Sequence, residues 1–323
     1  MKAVVLHKTC SPPELTVSEI PIPEVKPGWV LIKVKAFGLN RSELIMREYE
    51  GNAPYIRLPR VLGIECAGEI SDPSDSAFHQ GQRVVALMGG MGRSFDGSYA
   101  EFTLVPAKNV FTVDIDLDWD ELAAIPETYF TAYGSLFQSL QLTSSDILLV
   151  RGGTSAAGLA AIQLANSIGA TVLATTRKDY KRELLLIQGA DHVMIENGTI
   201  RDQVIKLYPD GVTGVLELIG PDTLFESMSL VKLHGIVCVT GILGKQGTIA
   251  DFYPIKDIPS GMYLTGFSSN SPTQKIVDDI FSHLRNYNLH PCISHVYTLN
   301  EISQAHDLME KNEANGKVVI RIE

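Results

Sequence analysis

The stretch LLVRGGTSAAGLAA, residues 148–161, joins an apolar run to a helix-like segment through a turn of small residues. The run is continuously apolar, which is typical of a strand buried on both faces of a parallel sheet. Such a turn can hold a pyrophosphate, because small side chains let a phosphate approach the backbone and the helix N-terminus offers amide donors. Its glycines, Gly152, Gly153 and Gly158, do not follow the spacing G-x-G-x-x-G. A plain tight turn therefore stays open as the alternative.

Strand-like and helix-like segments alternate from about residue 146 to residue 268, beginning with the strand that enters this turn. The strand-like segments are DILLV, TVLATT, DHVMI, VTGVLELI, GIVCVT and YLTGF. This alternation predicts a doubly wound parallel sheet with helices on both faces. The chain before about residue 120 differs, since WVLIKVKAFGL and SYAEFTLV indicate strands that are separated by glycine and proline turns.

Length and composition limit the class of protein. The 323 residues have room for about two domains, and 45% hydrophobic with 20% charged residues is typical of a globular chain. With 27 basic and 37 acidic residues the net charge is −10, which argues against nucleic-acid or membrane partners. The four cysteines lie far apart without a C-x-x-C pair, and the N-terminal stretch does not resemble a signal peptide. We therefore expect a cytoplasmic protein with reduced thiols.

A basic segment, LATTRKDYKRE, follows the second predicted strand. An NAD site usually has an acidic residue here for the ribose hydroxyl, whereas an NADP site has a cation for the 2′-phosphate. Cations in the first turn of a helix oppose its dipole, at a cost of roughly 0.3–1 kcal/mol each. A bound phosphate explains their position, whereas a solvated helix start does not. We therefore expect NADPH rather than NADH, with Thr176, Arg177 and Lys181 as its phosphate contacts.

Several short segments, taken in order, resemble those of the medium-chain dehydrogenase/reductase superfamily. They are VKAFGLNRSEL, LPRVLGIECAGEI, GQRVVAL, GSYAEFTLVP, IPETYFTAYGSL, RGGTSAAG, TGILG, LTGFSS and AHDLMEKNEANGKVVI. Within the superfamily the chain resembles the zinc-independent quinone oxidoreductases, the branch that includes zeta-crystallin. The resemblance implies an α/β chain with a GroES-like, β-rich catalytic domain over 1–121 and 269–323. A Rossmann cofactor domain over 122–268 would be inserted between these two parts.

The positions that hold zinc in other members of the superfamily differ here. Zinc alcohol dehydrogenases carry a cysteine where this chain has Asn40, and Gly-His-Glu where it has Gly63, Ile64 and Glu65. Neither an asparagine nor an isoleucine is a plausible zinc ligand. The lobe with four cysteines is missing, and the eight histidines show no ligand spacing; His306 lies on an apolar helical stripe and is interpreted as a packed residue. We expect no bound metal.

The resemblance also assigns roles to single residues. It implies that Asn40 lies beside the nicotinamide and the substrate carbonyl. Tyr49 is the candidate to replace a tyrosine that the family often carries at the position of Ile45. The cofactor residues that it implies, together with the phosphate contacts above, are Thr131, Gly153, Thr154, Ser155, Ala156, Ala157, Gly241, Ile242, Leu243, Phe267, Ser268, Ser269 and Lys317.

Three functions remain open. Without a Lewis acid, reduction of a plain ketone is difficult, whereas a conjugated acceptor spreads the negative charge and needs only hydrogen-bond donors. The first hypothesis is therefore an NADPH-dependent reductase of quinones or α,β-unsaturated carbonyl compounds. The alternatives are a zinc-free alcohol or aldehyde oxidoreductase and an NADPH-binding protein without turnover. We expect a small electrophilic substrate and a homodimer that pairs through the segment MYLTGFSS.

Overall fold

The structure is a computed structural model that describes residues 1–323. Its chain divides into two units. The first unit consists of Met1–Phe130 and Ser269–Glu323, so it contains both ends of the chain. The second unit is the continuous segment Thr131–Ser268.

Sixteen strands and ten α-helices make up the two units. In chain order the strands are β1 (Lys2–Leu6), β2 (Val17–Glu19), β3 (Trp29–Gly38), β4 (Arg60–Val61), β5 (Glu65–Asp72), β6 (Arg83–Leu87), β7 (Phe102–Pro106), β8 (Val110–Thr112), β9 (Ile147–Arg151), β10 (Thr171–Thr176), β11 (His192–Ile195), β12 (Val212–Glu217), β13 (Val231–Val239), β14 (Tyr263–Gly266), β15 (Ile293–Thr298) and β16 (Lys317–Arg321). The helices are α1 (Arg41–Glu48), α2 (Trp119–Ala123), α3 (Pro126–Tyr133), α4 (Ala156–Ser167), α5 (Arg182–Ile187), α6 (Ile200–Leu207), α7 (Pro221–Met228), α8 (Pro254–Asp257), α9 (Gln274–Tyr287) and α10 (Ile302–Glu310). None of these helices combines the length and the apolar character that a membrane span requires.

The first unit is built mainly of antiparallel strands. Its larger sheet has the order β15-β16-β3-β5-β6-β8, with β7 also paired to β3, and a smaller sheet has the order β2-β1-β4. The long strand β3 pairs with β7 along its first half and with β16 near its end, at 36–38. The C-terminal strand therefore completes a sheet that the N-terminal third of the chain begins. Apolar side chains such as Phe37, Leu62 and Ile320 form its core.

Residues 122–130 lie in the first unit, whereas the sequence predicted that the first part of this unit would end at residue 121. The helix α2 explains the difference. Asp118 caps the helix by accepting a hydrogen bond from the Glu121 N–H at 2.8 Å, and Leu122 and Ala123 are fully buried. The helix packs against β3, β5 and β16, and Asp120 pairs with Arg321 of β16.

The second unit is a doubly wound parallel sheet, as the alternating segments predict. Its six strands run in the order β11-β10-β9-β12-β13-β14, and every neighbouring pair is parallel. The chain turns from one half of the sheet to the other between the central strands β9 and β12. The carboxyl ends of parallel strands meet at one edge, and ligands bind beside such a switch point in sheets of this kind. Leu149, Leu173 and Val215 are among the fully buried core residues.

Candidate functional site

The predicted cofactor residues of the second unit lie at the carboxyl edge of its sheet. Because all six strands are parallel, the residues that follow them reach the same edge. Gly153, Thr154, Ser155, Ala156 and Ala157 follow β9; Thr176, Arg177 and Lys181 lie at or after the end of β10; Gly241, Ile242 and Leu243 follow β13; Phe267 and Ser268 follow β14. The fold thus brings together four groups that the sequence separates.

Two positions of the junction between β9 and α4 require glycine, one in the turn and one in the first turn of the helix. Gly152 has a φ of +81°, a left-handed conformation that favours glycine. A Cβ at Gly158 would lie 2.6 Å from the carbonyl oxygen of Gly152 and 2.8 Å from that of Gly153. Gly158 therefore lets the first turn of α4 lie directly against the backbone that follows β9.

The side chain of Ser155 caps α4. Its Oγ accepts a hydrogen bond from the Gly158 N–H at 3.1 Å and donates to the carbonyl of Gly152 at 2.9 Å. The hydroxyl hydrogen of Ser155, a predicted cofactor residue, is thus used inside the turn. The N–H groups of Ala156 and Ala157 have no partner in the chain, as is usual in the first turn of a helix. These backbone groups are the donors that the junction leaves available.

Thr175 holds the turn against the neighbouring strand. Its Oγ1 accepts from the Gly152 N–H and its carbonyl from the Gly153 N–H, both at 3.1 Å. Gly153, a predicted cofactor residue, therefore donates its N–H hydrogen bond to β10. The adjacent Thr176 is buried, and its Oγ1 accepts from the Lys178 N–H at 3.2 Å, which fixes the start of the basic segment.

Three cations of the basic segment have no anionic partner. Arg177 and Lys178 are exposed, Lys181 is only 8% exposed, and none of the three forms an ion pair. Burial lowers the pKa of Lys181, and the positive charges of Arg177 and Lys178 lower it further. Arg182 differs, because it pairs with Asp179 at 3.2 Å. The end of β10 thus holds uncompensated positive charge that an anion would stabilise.

The segments after β13 and β14 are packed closely. A Cβ at Gly241 would overlap the backbone of Leu218, and the Leu243 N–H donates to the Leu218 carbonyl at 3.0 Å. The ring of Phe267 lies directly against Gly134, where a Cβ would overlap it. The predicted cofactor residues Ile242 and Ser268 belong to the same two segments.

Thr131 lies on α3 and does not follow a strand of the sheet. Its carbonyl accepts a hydrogen bond from the Ser135 Oγ at 2.7 Å, and this hydroxyl also contacts the Thr240 Oγ1 at 2.9 Å. The contact links α3 to the residue after β13. The role of the Thr131 side chain at the nicotinamide stays a prediction.

In the first unit, Asn40 belongs to a buried charged cluster. The Nδ2 of Asn40 donates to Glu65 Oε1 at 2.8 Å, and its Oδ1 accepts from Lys317 Nζ at 2.7 Å. Lys317 also donates to Glu65 Oε1 at 2.6 Å. The side chain of Lys317 is 2% exposed and that of Glu65 is fully buried. An ion pair at this depth is stable only because each charge is hydrogen-bonded.

The sheet of the first unit brings these three residues together. β16 and β5 lie on either side of β3. Lys317 is the first residue of β16, Glu65 is the first residue of β5, and Asn40 follows the end of β3. At Gly38 a Cβ would come within 2.7 Å of the Glu65 carboxylate and would overlap the Lys317 side chain. The glycine at the end of β3 therefore makes room for the ion pair.

The second carboxylate oxygen of Glu65 is bound by the N-terminus of α3. The backbone N–H of Glu127 donates to Glu65 Oε2 at 2.7 Å, so both oxygens of Glu65 have partners. The predicted cofactor residue Ser269 lies in the first unit, where its Oγ donates to Glu127 Oε1 at 2.7 Å. The boundary between the two units therefore falls between Ser268 and Ser269.

A second buried carboxyl, Glu43, lies in the first turn of α1. Its Oε1 is 3.4 Å from the Nδ2 of Asn40, and its buried Oε2 has no hydrogen-bond partner. Burial raises the pKa of Glu43 to about 7; the charge of Glu65 acts in the same direction, whereas Lys317 and Arg93 oppose it. At neutral pH this group is close to its point of titration.

Sequence analysis missed the roles of Glu43 and Glu65. Glu65 had a signal, because it ends the Gly-Ile-Glu triplet at the position where zinc alcohol dehydrogenases carry Gly-His-Glu. Glu43 had none, because a glutamate in the first turn of a helix is ordinarily exposed.

Tyr49 and Lys317 are two further predicted site residues of the first unit. The phenol of Tyr49, at the end of α1, is 54% exposed and hydrogen-bonds neither Asn40 nor another side chain. Its catalytic role stays a prediction. Lys317, which the resemblance implies as a cofactor contact, donates one hydrogen bond to Asn40 and one to Glu65.

His306 and Ile64, two residues considered as metal ligands, are both buried. His306 is fully buried in α10 and hydrogen-bonds the Tyr99 hydroxyl at 3.0 Å through Nε2, as a packed helix residue would. Ile64 is buried in the core. No group of three or more His, Cys, Asp or Glu side chains is arranged to hold a metal ion.

Comparison with known proteins gives matches to both units. Residues 26–115 match the alcohol dehydrogenase GroES-like domain family, and residues 156–280 match the zinc-binding dehydrogenase family. Human quinone oxidoreductase is 29% identical over 333 residues, covering 99% of this chain and 97% of the human protein. A mycobacterial protein whose structure was solved with NADPH is 26% identical, with a TM-score of 0.88 over 99% of this chain and 100% of that one. An NAD-dependent alcohol dehydrogenase structure is 25% identical, with a TM-score of 0.89 over 100% of both chains.

The β-rich unit is therefore a GroES-like domain, the parallel sheet is a Rossmann-like domain, and the chain belongs to the medium-chain dehydrogenase/reductase superfamily. It is an oxidoreductase with a fold that binds pyridine nucleotides. Within the superfamily its similarity is to the quinone oxidoreductase branch, as the order of its motifs predicts.

Proposed function

We propose that this protein uses NADPH to reduce quinones or α,β-unsaturated carbonyl compounds, and that it does so without zinc. The observation that carries the choice of cofactor is the group of unpaired cations at the end of β10. Arg177, Lys178 and Lys181 repel one another and have no counter-ion in the chain. A 2′-phosphate would supply the missing negative charge, whereas the free ribose hydroxyl of NADH would not.

The glycine turn fits the rest of a dinucleotide. Its left-handed Gly152 and its close-packed Gly158 let the turn and the start of α4 lie in direct backbone contact. The unpartnered N–H groups of Ala156 and Ala157, at the positive end of the α4 dipole, suit a pyrophosphate. When bound, a reduced nicotinamide supplies the hydride, and the protein contributes binding and orientation.

The chemistry of the Asn40 cluster favours a conjugated acceptor. Lys317 is neutralised by Glu65, so the group beside Asn40 adds no uncompensated positive charge. An amide N–H can stabilise the charge of a phenolate or enolate, which is spread over several atoms. The localised charge of an alkoxide needs a stronger electrostatic partner, and neither Asn40 nor Ile64 can hold a zinc ion in place of the family's ligands.

Location and assembly complete the proposal. All four cysteines are free thiols, which suits the reducing cytoplasm. The strand β14 is at one edge of its sheet, and Tyr263 on it is exposed. An unpaired edge strand can add to that of a second copy, so we propose a homodimer through β14.

The cofactor assignment is tested by removing charge from the basic segment. The double variant Arg177→Ala/Lys181→Ala should raise the KM for NADPH by roughly 30- to 1,000-fold, because each of the two lost phosphate contacts costs on the order of 1–2 kcal/mol. The KM for NADH should change little. The control Lys206→Ala/Lys232→Ala removes two exposed charges elsewhere in the same unit. Equal effects on NADPH and NADH would refute the phosphate assignment.

The reaction is tested with a panel of quinones, enones and simple ketones, in the presence and absence of a chelator. We expect NADPH oxidation with quinones or enones and no effect of the chelator. A protein that binds NADPH but reduces nothing in the panel would contradict the proposal and favour a binding protein. Faster reduction of simple ketones than of enones would favour the alcohol or aldehyde oxidoreductase.

A further inference from the structure

We propose that Glu43 controls whether Asn40 can donate a hydrogen bond to a substrate oxygen, and that Glu65 and Lys317 are the positioning residues that fix the Asn40 amide for this purpose. The inference deepens the proposed function and rests on it for the identity of the substrate oxygen. The control itself is a property of four side chains of the first unit and can be measured without a substrate.

The orientation of the Asn40 amide is decided by its two charged neighbours. An ammonium group only donates hydrogen bonds, so the oxygen of the amide must face Lys317 Nζ, at 2.7 Å. A carboxylate only accepts, so the amide nitrogen must face Glu65 Oε1, at 2.8 Å. The reversed amide would set like groups against each other on both sides. One of the two Nδ2 hydrogens is therefore committed to Glu65.

The second Nδ2 hydrogen is the one that a substrate can use. Its nearest acceptor is Glu43 Oε1, and the distance of 3.4 Å is long for a hydrogen bond. A neutral carboxyl is a weak acceptor, so with Glu43 protonated this hydrogen is available. An ionised Glu43 forms a charge-assisted hydrogen bond, which is shorter and about twice as strong. Ionisation would therefore withdraw the donor and also place negative charge next to a developing oxyanion.

The surroundings of Glu43 place its titration where this control has an effect. The unpartnered Oε2 is buried, so an ionised carboxylate there lacks the hydrogen bonds that would offset its desolvation. Burial is the main reason that the pKa of Glu43 is raised to about 7. The charged and titratable groups around it come from β5, β16, the loop after β6, the segment before β7 and its own helix: Glu65, Lys317, Arg93, Tyr99 and Arg47.

Most of these neighbours are held in contacts of their own. Glu65 and Lys317 form an ion pair at 2.6 Å, and Arg93 pairs with Glu50 at 2.7 Å. Burial and the charge of Glu43 raise the pKa of Tyr99 well above its ordinary value. Glu43 differs from them, because its carboxyl has an unpartnered, buried oxygen and its pKa is raised to about 7.

The direct test follows the side-chain amide of Asn40 by NMR in protein labelled with ¹⁵N-asparagine. The resonance pair is assigned by its loss in Asn40→Asp. In the free protein we expect both Nδ2 hydrogens to shift in one step with a midpoint near pH 7. The step should be absent in Glu43→Gln and present in Glu69→Gln, which alters a partly exposed glutamate of the same sheet. An amide that does not titrate, or that titrates equally in Glu43→Gln, would overturn the proposal.

The positioning role of Lys317 has a separate readout. Removing the ammonium should let the amide reverse, so the Lys317→Met/Glu65→Gln variant, which keeps the pocket neutral, should lose the pH step of the Asn40 resonances. Lys317→Arg keeps the cation and should restore at least part of the step. Thermal unfolding checks that each variant folds. A full step in Lys317→Met/Glu65→Gln would show that Glu43 acts without the ion pair, against the proposal.

Kinetics connect the control to the reaction. For a quinone that the protein reduces, kcat/KM should fall by about tenfold per pH unit above the Glu43 titration, and Glu43→Gln should flatten this limb. An alkaline limb unchanged in Glu43→Gln would overturn the proposal. If the amide titrates as expected but no quinone or enone is reduced, the proposed function fails while the control of Asn40 stands. If quinones are reduced but the amide does not titrate, the control of Asn40 by Glu43 fails while the proposed function stands.

Discussion

Glu43 and His306 are ionisable side chains that are almost completely buried, and burial favours the uncharged form of both. Burial raises the pKa of Glu43 to about 7 and lowers that of His306 to about 3, because a low-dielectric interior disfavours the charged form of an acid and of a base alike. Arg47 adds to the effect on His306. The two residues therefore limit stability from opposite sides of the pH scale.

The sign of each contribution follows from proton binding. The folded protein holds the Glu43 proton more tightly than the unfolded chain, so the free energy of unfolding falls as pH rises from about 4.5 through about 7. His306 in the folded protein resists protonation, so the free energy of unfolding falls as pH drops from about 6.5 to about 3. Between about pH 4.5 and 6.5 the two slopes oppose each other and largely cancel.

Glu43→Gln should therefore stabilise the protein at alkaline pH relative to the wild type. Between about pH 5 and about pH 8 the advantage of the variant should grow by about 2 kcal/mol, or several degrees in Tm, because the buried charge is no longer formed. Thermal unfolding of both proteins at the two pH values measures it. An advantage that is the same at both pH values would contradict the assignment of the titration to Glu43.

At the scale of elements, the turn from β9 into α4 depends on close contact between backbones. Gly158 is held between the start of α4 and the carbonyls of the turn, whereas the Ser155 cap closes the turn from within. The same contact fixes where the N–H groups of Ala156 and Ala157 lie. Packing and the candidate phosphate site are therefore properties of one junction.

Gly158→Ala should weaken both. The added methyl would force α4 away from the turn at a cost of about 1–3 kcal/mol, as in other overpacked sites, and the Kd for NADPH should rise. Gly247→Ala is the matched control, because a Cβ at Gly247 meets no atom within 4 Å. Thermal unfolding and a fluorescence titration with NADPH measure the two effects. Equal melting temperatures for the two variants would argue against the tight junction.

At the scale of the whole molecule, the two units differ in how the chain builds them. The second is one continuous segment that contains all six strands of its sheet, whereas the first needs the end of the chain. β16 pairs with β3, and Lys317 reaches Asn40 across 277 residues of sequence. A chain that lacks its last segment cannot complete the first sheet.

Truncation after Ser268 should consequently unfold the first unit and spare the second. The loss removes β15 and β16, so β3 loses a hydrogen-bonded neighbour and core residues such as Phe37 are uncovered. Limited proteolysis with mass spectrometry should digest 1–130 and leave a resistant fragment close to 131–268, whereas the full chain should resist throughout. Protection of 1–130 in the truncated chain would contradict this expectation.

The sequence alone determined the doubly wound sheet, the small-residue turn and the basic segment after β10. Each of these signals is contained in a short window: an apolar run, a cluster of glycine and alanine, or adjacent cations. Local patterns of this kind survive because strand, turn and helix preferences are set by neighbours in the chain. The superfamily followed from the order in which such segments occur.

Only the tertiary structure decided what surrounds Asn40. Glu65 and Lys317 join it from strands that are distant in the chain, and the burial that holds Glu43 near its titration point depends on everything packed against α1. The same holds for the Ser155 hydroxyl, whose hydrogen the turn uses for itself. Burial and hydrogen-bond partners depend on long-range packing, and no window of the sequence contains that information.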